Sequence, residues 1–113
     1  MLNTNVGKIQ GATMNKAPKK ERNRGMYEAL LTMQTVDEMM KFFDDLCTVT
    51  EIVAMEQRFQ VAVCLSKGMI YNDILNQTGA SSATISRVNR SLQYGNGGYD
   101  MAFERLGITE AEN

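Results

Sequence analysis

An all-α fold of five to six helices is what the sequence predicts, and three observations predict it. Apolar residues recur at helical spacing through most of the stretch from Gly25 to Leu106. Two Thr-x-x-Glu pairs, Thr35/Glu38 and Thr48/Glu51, mark helix starts. No alternating apolar and polar run of strand length occurs, and no internal repeat is visible. With 113 residues the chain has room for one domain, or one domain with a tail, and for a modest core. The expected division is a flexible basic arm or leader over 1–24, a helix-turn-helix domain over 25–107 and a tail over 108–113.

Each element follows from its residues. Residues 1–24 lack periodicity and hold six basic side chains against Glu21, net +5. Such a stretch is read as a mobile arm, able to touch phosphates, or as a leader with Met14 as the natural start. Tyr27, Leu30 and Leu31 then give a short amphipathic helix. Thr35 caps a second one, with Val36, Met39, Met40, Phe43, Leu46 and Cys47 on one face and Phe42 off it. Thr48 caps a third that ends at Gly68, a residue suited to a C-terminal stop. Its predicted stripe is Ile52, Met55, Phe59, Ala62 and Val63. Its second half, Val61-Ala62-Val63-Cys64-Leu65, is apolar nearly all round. Such a helix is covered on all sides, and a partner subunit is the simplest supply of that cover. Ile70 to Gln77 forms a short helix, Thr78-Gly79-Ala80 a tight turn, and Ser81 or Ser82 caps the helix that follows. That helix stops at the breaker Gly95-Asn96-Gly97-Gly98. A last short helix over Tyr99 to Leu106 uses Met101, Phe103 and Leu106.

Composition excludes several function classes. There is no histidine, which removes the commonest general base and the commonest metal ligand. Cys47 and Cys64 are far apart and show no metal-site or redox spacing, so both are expected to be buried free thiols. No apolar run reaches the ~18–20 residues of a membrane span. A cytoplasmic protein without metal, cofactor or catalytic site is expected. Net charge is −1, but unevenly spread. Residues 25–65 carry two basic side chains against seven acidic ones, whereas 66–94 carry Lys67, Arg87 and Arg90 against Asp73 alone.

Two short helices joined by a glycine turn form a helix-turn-helix unit. Gly79 supplies the turn conformation, Ile74 and Leu75 offer apolar side chains to the second helix, and Ile85, Val88 and Leu92 return them. This leaves Ser82, Ala83, Ser86 and Arg87 facing partly or wholly outward. In such units the second helix lies in the major groove, and its N-terminal residues meet base edges. Hydroxyls donate or accept there, alanine and the threonine methyl touch thymine methyls, and arginine reaches guanine. Ser82, Ala83, Thr84, Ser86 and Arg87 are the candidates for base contact, with Thr84 turned closest to the turn. Arg90, Lys67, Tyr71 and Asn72 are the candidates for phosphates.

The stretches "FFDDLCTVTE", "GASSATISRVNRSL" and "YGNGGYD" resemble the Trp repressor superfamily, and within it the YerC/YecD-type Trp-repressor-like branch. The resemblance covers about residues 25–106. It implies an intertwined homodimer that binds double-stranded operator DNA, and so a transcriptional regulator, a repressor in the first instance. It also implies an effector pocket of Thr48, Arg58, Arg87 and Val88. Two features depart from the tryptophan-binding pattern. Val88 stands where a glycine lines the indole slot, and the turn is one residue shorter. The resemblance therefore implies gating by a small molecule other than tryptophan, if any. The rival reading is an all-α interaction or dimerisation module that does not bind DNA. Steep salt dependence of a complex with DNA separates the two.

Overall fold

The computed structural model describes residues 21–108. Among them lie six helices and no strand: α1 (Gly25–Leu31), α2 (Val36–Leu46), α3 (Val49–Ser66), α4 (Tyr71–Thr78), α5 (Ser82–Tyr94) and α6 (Gly98–Leu106). The expected arm, up to residue 20, and the expected tail, from residue 109, lie outside the described residues. The chain divides into two compact units, one ending at Cys47 and one beginning at Thr48.

The first unit holds α1 and α2. The Arg22 guanidinium lies over the Tyr27 ring, 5.2 Å from its centroid, and donates to the Tyr27 hydroxyl. Thr35 caps α2 by accepting the Glu38 N–H at 3.0 Å. The reciprocal half of the predicted capping box is displaced by one residue. The Glu38 carboxylate accepts from the Gln34 N–H at 2.8 Å rather than from Thr35. Asp37 and Glu38 in the first turn also complement the helix dipole. Met39, Phe43 and Cys47 of the predicted stripe are half-buried, while Val36, Met40 and Leu46 are exposed. Phe42, off the stripe, packs with Phe43 at 6.1 Å between centroids.

The second unit starts at a complete capping box. Thr48 accepts from the Glu51 N–H, and the Glu51 carboxylate accepts from the Thr48 N–H at 2.8 Å. α3 then runs to Ser66 and is closed by Lys67 and Gly68, the latter at φ 82°. The core is Val61, Ala62 and Cys64 of α3, Ile74 of α4, Ala80 of the turn, Ile85 and Val88 of α5, and Phe103 of α6. Of the second half of α3, Val61, Ala62 and Cys64 are buried within their own chain, whereas Val63 and Leu65 are only half-buried. Val61 and Ala62 are fully buried, and Val63 and Leu65 pack against the same cluster. α4, α5 and α6 converge on these turns, and reach back along α3 as far as Phe59 and Gln57. The first half of α3 is the bare part, with Val49 76% and Val53 57% exposed.

Other expectations shift by one face. Leu75 is exposed, so α4 gives the core Ile74 but not its neighbour. Adjacent helical positions differ by about 100°, and against this narrow contact Ile74 is the one of the pair that turns inward. Phe103 is buried, but Met101 and Leu106 are exposed. Tyr99 takes their expected place. Phe59, Tyr99 and Phe103 form an aromatic trio, with Phe103 edge-on to Phe59 at 5.7 Å and Tyr99 5.9 Å from Phe103. Cys64 is buried as a free thiol, whereas Cys47, also free, is only half-buried.

Ile74 is fully enclosed by this small core. Ile74→Ala is expected to cost ~2–5 kcal/mol, read as a lower urea midpoint with an unchanged slope.

Candidate nucleic-acid interface

The helix-turn-helix spans α4, the turn and α5. Gly79 closes α4 in the left-handed conformation, φ 74°, and its N–H donates to the Leu75 carbonyl at 2.9 Å. A methyl group would meet nothing there, so glycine is required by backbone conformation rather than by space. Thr78 organises the rest of the turn. Its hydroxyl donates to the Ile74 carbonyl at 2.7 Å and accepts from the Ala80 N–H at 3.1 Å. Ala80 is 1% exposed and belongs to the core. Neither residue is greasy enough to announce itself in the sequence, but a larger side chain at Ala80 would have no room.

Ser81 is the cap of α5, accepting from the Thr84 N–H at 3.1 Å. The Ser81 hydroxyl also donates to the Thr84 hydroxyl at 3.1 Å. Thr84 is therefore half-buried and engaged in the cap. Ile85 and Val88 point into the core, and Leu92 packs against it. Ser82, Ala83, Ser86, Arg87 and Arg90 are all exposed. Ala83, Arg87, Arg90 and Tyr94 lie at offsets 0, 4, 7 and 11 along α5, which puts them on one stripe. Tyr94, 80% exposed, was not among the sequence candidates; only its spacing from Arg87 and Arg90 could have pointed to it.

The C-terminal glycine of this helix is constrained differently from Gly79. A side chain on Gly95 would come within 2.4 Å of the Ser91 carbonyl oxygen. The Gly95 N–H donates to that same oxygen at 2.9 Å. The close approach leaves no space for a side chain there, and the extended backbone of Gly95 ends α5 at Tyr94.

Three of the four phosphate candidates group at the other connection, while Arg90 lies on α5. Lys67 is the exposed cap of α3, and Tyr71 and Asn72 open α4, both exposed. The four effector-pocket candidates sit in different settings. Thr48 is held in its capping box, Arg58 and Arg87 are exposed, and Val88 is 2% exposed among the core residues. Among the described residues no group of three or more Cys, Asp or Glu side chains is placed to hold a metal ion. No helix among them is long and apolar enough to cross a membrane.

Residues 22–107 match the family described as Trp repressor protein. The uncharacterized protein YerC of Bacillus subtilis (strain 168) is 47% identical over 88 residues, covering 78% of this chain and 85% of YerC. A crystal structure of a TrpR-like protein from Eubacterium eligens is 49% identical, with a TM-score of 0.76 over 82% of this chain and 99% of that one. A candidate Trp repressor from Staphylococcus aureus is 44% identical, also at 0.76, over 83% and 97%.

The cap on α5 holds both its first-turn backbone and Thr84. Ser81→Ala is expected to cost ~0.5–2 kcal/mol in chemical denaturation. Asn or Asp at the same position should recover most of that loss.

Proposed function

The chain belongs to the Trp repressor family, and we propose that it acts as a sequence-specific DNA-binding transcriptional regulator, a repressor, working in the cytoplasm as a homodimer. One observation carries the reading. A capped helix is fixed by Ile85 and Val88 on its inner side and presents Ser82, Ala83, Ser86, Arg87 and Arg90 outward. This pairs small and hydroxyl residues, which permit close backbone approach, with two guanidinium groups able to fork onto guanine or phosphate. Lys67, Tyr71 and Asn72 add one cation, one phenol and one amide for backbone phosphates. Thr84 contributes through the cap, not through a free hydroxyl.

The homodimer is supported by exposed apolar side chains in both units. Leu31 is 84% and Val36 74% exposed in the first; Val49 is 76% and Val53 57% exposed in the second. A soluble monomer seldom leaves so many large apolar residues in water. In the proposed dimer each α5 enters one half-site, about one helical turn, ~34 Å, from the other.

Tryptophan is not the proposed effector. The family resemblance puts a glycine where Val88 stands, and Val88 is packed in the core. A β-branched side chain there occupies the space an indole would need. Isothermal titration with tryptophan should give only heats of dilution. Stoichiometric micromolar binding would contradict this.

Selection from a pool of random duplexes tests the function itself. The expected result is a palindromic motif with half-sites about one turn apart, bound more weakly at higher salt. No enrichment by a verified dimer would favour a protein-docking module. On the selected duplex, Arg87→Ala should cost ~1–3 kcal/mol and relax preference at one base pair per half-site.

A further inference from the structure

The core-facing stripe of α3 contains one polar residue. Gln57, Val61 and Cys64 are spaced at offsets 0, 4 and 7, the helical repeat, and Val61 and Cys64 are both buried. An apolar side chain is the ordinary occupant of such a position. Instead the Gln57 side-chain amide donates to the Thr78 carbonyl at 3.3 Å, across 21 residues of sequence. Thr78 is the last residue of α4, and its carbonyl is one of those a helix end leaves without an intrahelical partner.

We infer that Gln57 is a positioning residue for the reading helix: it ties the long helix to the helix-turn-helix turn and thereby sets the direction of α5. This rests on the DNA-binding reading for its consequence, though not for the contact. Where α3 meets the core, at Val61, Ala62 and Cys64, contact is apolar and has no preferred angle. A hydrogen bond is directional. The bond from Gln57 lands on the residue that already joins α4 to Ala80, through Thr78 Oγ1, two residues before α5 begins. Both Gln57 and Thr78 are half-buried, so water competes for the bond only in part. A rotation of α5 about its apolar contacts would break this chain of bonds first.

The test uses the full chain with Gln57→Leu and Gln57→Glu. Leucine keeps the packing and removes the donor. Glutamate keeps the size, and its carboxylate faces a carbonyl at the negative end of a helix dipole. Amide exchange at Ala80 and Gly79 is followed by NMR, and affinity is measured for the duplex selected by the wild-type protein. In Gln57→Leu the Ala80 amide should exchange faster by about three- to tenfold, and affinity for the selected duplex should fall by a similar factor. Binding to unrelated duplex should hold, and so should the thermal midpoint. In Gln57→Glu the loss should be larger at neutral pH. Protection factors should recover as pH falls through the carboxyl range, because the protonated acid can again donate to Thr78. A merely structural glutamine would lower the thermal midpoint and weaken both duplexes alike, and that result would overturn the inference. So would faster exchange with unchanged discrimination between duplexes. If the wild-type protein binds no DNA, the DNA-binding reading falls. Exchange at Ala80 then decides the tie alone, and equal protection in all three proteins would refute it.

Discussion

The attachment of α5 to the long helix depends on a small apolar contact between it, the turn before it and two turns of α3. Ile74, Ile85 and Val61 are its fully enclosed large side chains, with Ala62, Ala80 and Val88 filling the gaps between them. Burying each large member is worth about 1.5–3 kcal/mol, so a handful of residues holds the helix-turn-helix to the long helix. That economy leaves the opposite side of α5 free of any packing duty. Ser82, Ser86, Arg87 and Arg90 can therefore be selected for what they touch outside the protein.

The core also explains why the small residues at the turn are fixed. Ala80 closes the cluster where a larger side chain has no room, and Thr78 gives its hydroxyl to both sides of the bend. Gly79 provides the left-handed step between them. The turn is thus held by backbone-directed hydrogen bonds, with the apolar contact confined to Ile74, Ala80 and Ile85. Such a turn is stiff, which suits a helix that has to present side chains at fixed separations.

The helices were legible in the sequence because their signals are local. Thr35, Thr48 and Ser81 cap as their residue types require, and Gly68, Gly79 and Gly95 stop the helices they follow. Ile85 and Val88 were legible as the inner face of α5 for the same reason. What sequence could not supply was the angle between helices. Whether Ile74 or Leu75 faces inward, or whether Tyr99 replaces Met101 beside Phe103, depends on rotations of less than half a turn. The apolar run 61–65 is a further case. Its all-round character was plain, but which of its faces the neighbouring helices bury is a tertiary fact: Val61, Ala62 and Cys64 are buried, Val63 and Leu65 half-buried. Gln57 was invisible because an amide on a helix reads as solvated surface until its partner carbonyl is placed beside it.

The outward face of α5 is the surface proposed to meet DNA. Backbone chemical shifts of the full chain, recorded with and without the selected duplex, test it most directly. Perturbation is expected to concentrate at Ser82–Arg90, with a second, smaller group at Lys67, Tyr71 and Asn72. Perturbation confined to the helices before Thr48, with residues 82–90 unmoved, would contradict it.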